Sequence, residues 1–284
     1  HKRNKALLGI ELPYDLDITE IDGFDDLHHA DGILKEEQER AARVFGAEES
    51  HFLVNGSTAG ILSAVMGCTH RGDKILVARH CHKSIYHAIY MNGLVPRYVY
   101  PEFDISMHMN GEISKEDVAK ALAAEPDIKT VVIVSPNYDG VVSDVKGIAE
   151  VAHSYRIPLI VDEAHGPHFG FHPAFPGRAN DLGADVVINS LHKTLPSLTQ
   201  TAILHINGKL ANRRRIKKYL DMLQSSSPSY IFMASLDACV DFLDGKCEEA
   251  FELYVERLQK FREELKPLPV SYTHLRAHET DSYL

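Results

Sequence analysis

Three stretches decide the fold: Thr130-Val-Val-Ile-Val-Ser135, Pro158-Leu-Ile-Val-Asp162 and Asp185-Val-Val-Ile-Asn-Ser190. Each is a short run of aliphatic, mostly β-branched residues without polar alternation. A strand wetted on one face alternates apolar and polar side chains, so unbroken runs of this kind belong to a sheet covered on both faces. Working outward, Lys74–Ala78 (KILVA), Pro96–Tyr100 and Thr201–Ile206 (TAILHI) also read as strands. Helical patterns at Lys35–Val44, Thr58–Cys68, Lys83–Asn92, Ser114–Ala123 and Asp144–Tyr155 separate them. This alternation predicts a three-layer α/β sandwich with a mostly parallel central sheet. Beyond Gly208 the pattern turns helical, over Lys209–Leu223, Tyr230–Leu243 and Glu248–Leu265.

Composition agrees with one large domain, or one large and one partial small domain. The chain has 284 residues, 44% hydrophobic and 25% charged, which excludes global disorder and a coiled coil. Its 40 acidic residues outweigh 30 Lys+Arg, for a net charge of -10, which argues against a general binder of nucleic acid or anionic membrane. No apolar run approaches the roughly 18–20 residues of a membrane span, and no signal-peptide pattern opens the sequence, so a cytoplasmic protein is expected. Cys68, Cys81, Cys239 and Cys247 are far apart and form no C-x-x-C pair, the pattern of buried or idle thiols. The Arg213-Arg-Arg215 and Lys217-Lys218 cluster reads as a solvated helix face.

The chemistry-bearing residues follow the strands. Lys193, in Ser190-Leu-His-Lys-Thr194, leaves the end of a buried strand, where ligands bind in open α/β sheets. Partial desolvation there lowers a lysine's pKa and favours the nucleophilic amine, the setting of a Schiff-base lysine; a surface loop lysine is the alternative. Asp162, opening Asp162-Glu-Ala-His165, is placed to hold a protonated pyridine nitrogen, whereas Glu163 falls on the opposite face of its strand. Asn55-Gly-Ser-Thr-Ala-Gly60 opens an apolar helix, and its small residues offer free N–H groups to a phosphate or an ordinary cap to the helix. Arg79-His-Cys-His-Lys-Ser84 and Ser135-Pro-Asn-Tyr-Asp-Gly140 follow two further strands and complete the set. In a parallel sheet these pieces converge on one edge.

Taken together, Gly56-Ser-Thr58, Cys81-His-Lys-Ser84, Asp162-Glu-Ala-His165 and Ser190-Leu-His-Lys-Thr194 resemble the major domain of the Orn/Lys/Arg decarboxylases. Asp22-Gly-Phe-Asp-Asp-Leu-His28 and His1-Lys-Arg-Asn4 extend the resemblance, the latter matching the end of the family's P-G-H-K segment. It implies a fold-type I, aspartate-aminotransferase-like enzyme dependent on pyridoxal 5'-phosphate (PLP). It further implies that Lys193 carries the cofactor and Asp162 pairs with its ring nitrogen. Ser57, Thr58, Ser190 and His192 would hold the phosphate, with Gly56 and Ala164 also against the cofactor, and His82 would stack on the ring. His165 would orient a substrate carboxylate or contact the ring oxygen. Asn137 and Tyr138 lie on another loop facing the cofactor. The expected reaction is decarboxylation of arginine, lysine or ornithine by a homodimer or higher homo-oligomer, in polyamine or related amine metabolism.

The resemblance also sets expectations for the chain's extent. Residues 1–265 are expected to be an N-terminally truncated major domain with a helical continuation. Residues 266–284 are expected to be a non-native tail, since Ser271–Leu284 resembles translated sequencing-adapter read-through, with the family's C-terminal domain missing.

Other classes fit less well. Asp162-Glu-Ala-His165 is also a helicase-ATPase signature, but the nearest approach to a phosphate loop, Gly67–Lys74, displaces its lysine by one residue and leads into a strand. No metal site is expected, because Pro167 and the glycines of His165-Gly-Pro-His-Phe-Gly-Phe-His172 prevent a regular helical display of ligands. Among PLP enzymes, an aminotransferase or carbon–sulfur lyase uses the same cofactor residues and is the alternative reading, as is an inactive fragment.

Overall fold

The computed structural model describes residues 13, 16–105 and 108–266. The segments His1–Asn4 and Ser271–Leu284, on which the expectations about the chain's ends rest, lie outside the described residues. In chain order the elements are α1 (Ile33–Val44), β1 (Glu49–Leu53), α2 (Gly56–Cys68), β2 (Lys74–Ala78), α3 (Lys83–Asn92) and β3 (Val95–Val99). A short hairpin, β4 (Phe103–Asp104) and β5 (Met109–Asn110), precedes α4 (Lys115–Ala124), β6 (Ile128–Val134), α5 (Val145–Ser154) and β7 (Leu159–Asp162). Then come β8 (Val186–Asn189), α6 (Leu191–Thr194), β9 (Ala202–Ile206), α7 (Arg213–Leu223), α8 (Tyr230–Leu243) and α9 (Glu248–Leu265).

The main sheet has seven strands in the order β1-β9-β8-β7-β6-β2-β3. β9 runs antiparallel to both its neighbours, whereas β3, β2, β6, β7 and β8 pair in parallel. Two antiparallel steps restore direction, so β1 points the same way as β8. The C-terminal ends of β1, β2, β6, β7 and β8 therefore share one edge, as the expected parallel sheet requires.

The period of two explains the layers. Val132, Ile160, Val186 and Ile188 point to a core shared with Ile61 and Val65 of α2, Ile85 of α3 and Ile216 of α7. Val131, Ile133, Leu159, Val161 and Val187 point to the opposite core, with Val118 and Leu122 of α4 and Val145 and Ile148 of α5. A third cluster joins Leu34 of α1 and Phe52 of β1 to Met233, Leu236 and Val240 of α8. The same parity puts Asp162 on the α2/α3 side and Glu163 and Asn189 on the other.

Boundaries move where local hydrogen bonds override periodicity. Helix α7 starts at Arg213 rather than Lys209 because the Asn212 side chain accepts from Arg215 N at 3.1 Å, which caps the helix there. Helix α2 begins at Gly56, two residues before the apolar pattern. β1 is hard to see in the sequence because Glu49 and His51 alternate with buried Ser50 and Phe52. The basic residues of α7 engage their neighbours: Arg213 pairs with Glu48 and Glu49, Arg215 donates to the carbonyls of Met66 and Thr69, and Lys217 pairs with Asp221. The four cysteines are free thiols, and burial pushes Cys68, Cys81 and Cys239 up to about 12. Among the described residues, no helix is long and apolar enough to cross a membrane.

Helix α2 is apolar all round because it lies between the sheet and α7. At Gly67 the two helices almost touch: a Cβ there would lie 2.9 Å from the Cα and N of Ile216. Gly67→Ala is thus expected to cost about 1–3 kcal/mol by overpacking. Thermal unfolding should show Tm lowered by roughly 3–10 °C.

Candidate active site

The shared sheet edge collects every piece that the sequence singled out. Gly56–Thr58 follow β1, His82 follows β2, Asn137 and Tyr138 follow β6, Asp162–His165 end β7, and Ser190–Lys193 follow β8. The antiparallel β9 starts at this edge too and ties the others together. Gln200 O, just before it, accepts from Gly56 N at 2.9 Å, and Thr201 O meets His192 Nδ1 at 2.9 Å.

Asp162 and Lys193 form the electrostatic centre. Asp162 is 3% exposed, and burial raises its carboxyl to about 6 while the positive charge of Lys193 opposes the rise. Ala164 N donates to Oδ1 at 3.2 Å, and among the described residues Oδ2 accepts no hydrogen bond. Desolvation lowers the pKa of Lys193, with Asp162 resisting. Its side chain stays accessible at the mouth of a cleft of about 300 Å³, walled by His168, Phe175, Phe242, Phe251 and Tyr254. An amine that is partly desolvated yet reachable is what nucleophilic addition to an aldehyde needs.

One end of the site is built for an anion. Gly56 has φ +73°, a left-handed conformation that glycine adopts freely and that turns the chain from β1 into α2. No side chain caps α2, because Asn55 Oδ1 accepts from Ser225 N at 3.1 Å instead. The first-turn amides and the positive end of the helix dipole therefore face the edge, beside the hydroxyls of Ser57 and Thr58. Ser190 Oγ is buried without a hydrogen-bond partner. His192 donates its Nδ1 proton to Thr201 O, so its other nitrogen can donate to a phosphate only as the imidazolium.

The remaining histidines are held as neutral rings. His82 caps α3, its Nδ1 accepting from Ser84 N at 3.3 Å and lying 2.8 Å from Ser84 Oγ, while burial and then Lys193 lower its pKa. His165 is lowered to about 4, by burial first and the charge of Lys193 second. Its Nδ1 is buried without a partner, and its ring lies 6.0 Å from that of Tyr138. Asn137 spends its amide on the chain itself: Nδ2 donates to Asn110 O at 3.0 Å and Oδ1 accepts from Val141 N at 2.9 Å. It shapes the loop rather than facing a ligand, whereas Tyr138 is 85% exposed over the site.

His168 and His172 diverge, His168 meeting Thr194 Oγ1 at 3.1 Å and His172 meeting Glu252 at 2.9 Å. Among the described residues no three metal-ligating side chains converge.

These features fit PLP. Asp162 Oδ2 is placed for a ring N–H, the α2 terminus and Ser190 Oγ for the phosphate, and Lys193 for the aldehyde carbon. Sequence reasoning missed Gln200, Thr201, Asn189 and the bonding role of Glu163. Only the strand-end position of Asn189 could have signalled its part.

Comparison with known proteins agrees. The profile of the Orn/Lys/Arg decarboxylase major domain matches residues 11–278. The chain belongs to this family. It is 46% identical over 235 residues, 82% of its length, to an uncharacterized protein, YaaO, of Bacillus subtilis, of which that match covers 49%. It is 38% identical to an arginine decarboxylase of Halalkalibacterium halodurans over 257 residues, 90% of this chain and 52% of that one. The solved lysine decarboxylase A of Pseudomonas aeruginosa superimposes with a TM-score of 0.77 at 28% identity, covering 89% of this chain and 37% of that one. The chain thus spans about half the length of the curated relatives it matches. The sheet order and helix layers are those of fold-type I PLP enzymes, the class expected from the sequence.

The buried carboxyl has a measurable consequence. Since the folded protein holds the Asp162 proton up to about pH 6 and the unfolded chain releases it near 3.8, this group's contribution to stability is greatest in acid. It falls between about pH 4 and 6 and is flat above. In cofactor-free protein, Asp162→Asn should therefore be more stable than wild type at pH 7 by roughly 2–3 kcal/mol, and unfold at a higher temperature. Thermal melts at pH 4 and pH 7 should show that advantage shrinking toward acid.

Proposed function

We propose that this chain is the cofactor-bearing part of a PLP-dependent carboxy-lyase that converts a basic amino acid, arginine, lysine or ornithine, into its amine and CO₂. The observation that carries the reading is the juxtaposition of Lys193 and Asp162 at the ends of neighbouring strands, one desolvated but reachable and the other buried with a free oxygen. Membership of the decarboxylase family supports carboxylate loss over transamination or carbon–sulfur cleavage. The higher identity to the relative named arginine decarboxylase than to the solved lysine decarboxylase puts arginine first among the three substrates. A cytoplasmic homodimer or higher homo-oligomer, working in polyamine or related amine metabolism, completes the proposal. Neither a metal nor a nucleic acid is part of it.

When bound, PLP supplies a conjugated ring that accepts the electron pair left as CO₂ departs. The protein's residues do the rest. Lys193 supplies the amine that holds the cofactor and yields it to substrate, and its desolvation raises the neutral, nucleophilic fraction. Asp162 keeps a proton on the ring nitrogen, and the low dielectric around the carboxylate strengthens that hold. The amides of α2, with Ser57, Thr58, Ser190 and His192, anchor the phosphate. Gly56 and Ala164 let the backbone approach the cofactor. His82 covers one ring face, and His165, neutral and with an unpartnered nitrogen, orients the substrate carboxylate or the ring oxygen. The aromatic cleft beside Lys193 adds apolar surface next to the amine.

The test is product analysis with each of the three amino acids, using the longest gene product that contains this chain, loaded with PLP. Amine and CO₂ should appear from at least one. Lys193→Ala should lower turnover by at least about a thousandfold. Absence of CO₂ from all three substrates, or multiple turnovers by the alanine variant, would overturn the proposal.

A further inference from the structure

The ends of β7 and β8 are tied together on the face of the sheet away from α2 and α3. Asn189 Nδ2 donates to Glu163 O at 3.1 Å and to Glu163 Oε2 at 3.0 Å. Glu163 Oε1 accepts from Ala179 N at 2.9 Å, and Glu163 N donates to Ile188 O at 3.0 Å. Both residues are almost wholly buried, Glu163 at 3% and Asn189 at 1% exposure. Each stands one position from a residue of the site: Glu163 follows Asp162, and Asn189 precedes Ser190.

We propose that Glu163 is a positioning residue whose side chain, bonded to Asn189 and Ala179, locks the ends of β7 and β8 and so fixes Lys193 relative to Asp162. This rests on the PLP reading of the site. β7 and β8 share only three paired positions, from Ile160 with Val186 to Asp162 with Ile188, so the ladder stops where the chemistry begins. From there the Glu163 side chain continues the pairing on behalf of the backbone.

The charges around the bridge fit this role. Arg178 and Asp181 are the charged groups that influence Glu163, and they pair with each other at 2.9 Å. Burial pushes Glu163 up to about 8, against the hydrogen bonds from Asn189 and Ala179 that favour its charged form. On the other face, Lys193 meets Asp162 from β7, His82 from the start of α3 and His165 from the loop after β7.

The experiment follows the reactivity of Lys193 rather than turnover. Wild type, Glu163→Gln, Glu163→Ala and Asn189→Ala are labelled with PLP and borohydride across pH, and the Lys193 peptide is quantified by mass. If the bridge holds Lys193 in its desolvated position, losing it admits water. Glu163→Ala and Asn189→Ala should then move the labelling midpoint up by about one pH unit, toward an ordinary lysine. Glu163→Gln keeps one acceptor oxygen but sets an N–H against either Ala179 N or Asn189 Nδ2, so it should shift by less than alanine, about half a unit. The double alanine variant should move no further than either single one, since both remove one bridge. A folded alanine variant with the wild-type midpoint overturns the proposal, as does a glutamine variant shifted as far as alanine. Failure of both alanine variants to fold also overturns it, reducing the bridge to a folding element. Wild type that is not labelled at Lys193 would instead refute the PLP reading on which the proposal stands.

Discussion

The attraction between Asp162 and Lys193 is the constraint around which this structure is organised. Each group alone is costly at a covered sheet edge: burial drives the carboxyl to about 6 and lowers the pKa of the ammonium. Each partly offsets the other's desolvation, and neither is fully satisfied. That residual tension suits a site that receives a cationic ring nitrogen at one group and an aldehyde at the other. A parallel sheet is what brings them together, because consecutive parallel strands end on the same side. β9, which runs against the other described strands of the main sheet, is preceded by backbone carbonyls that steady Gly56 and His192.

The same edge gathers polar groups that the protein leaves unpartnered. Ser190 Oγ and His165 Nδ1 are buried without hydrogen bonds, and α2 begins without a side-chain cap. A buried polar atom with no partner costs free energy that folding alone does not recover. At this edge, beside Lys193 and Asp162, they are groups held ready for a ligand, and the aromatic cleft next to Lys193 adds apolar surface.

Much of this was legible in the sequence because burial on both faces leaves a plain trace. Val131–Val134, Leu159–Val161 and Val186–Ile188 are unbroken apolar runs, and the residues that follow each one fall at one edge once the strands are parallel. Asp162 and Lys193 could thus be singled out before any geometry was known. Other features depend on contacts between distant residues. The reversal of β9 leaves no mark in Thr201–Ile206, since a strand buried on both faces reads alike in either direction. β1 was obscured by its half-exposed Glu49 and His51. The bonds of Asn137 to Asn110 and Val141 leave no local signature, and those of Glu163 are invisible because Asn189 and Ala179 are remote in sequence.

On this reading Lys193, opposite Asp162, is the residue that carries the cofactor. The most direct measurement is peptide mapping of protein incubated with PLP near neutral pH and reduced with borohydride, comparing wild type with Asp162→Asn. One dominant adduct is expected, on Lys193, with its yield reduced in the variant. Adduct spread over exposed lysines such as Lys83, Lys120 and Lys260 with no preference for Lys193, or a yield at Lys193 indifferent to Asp162, would contradict it.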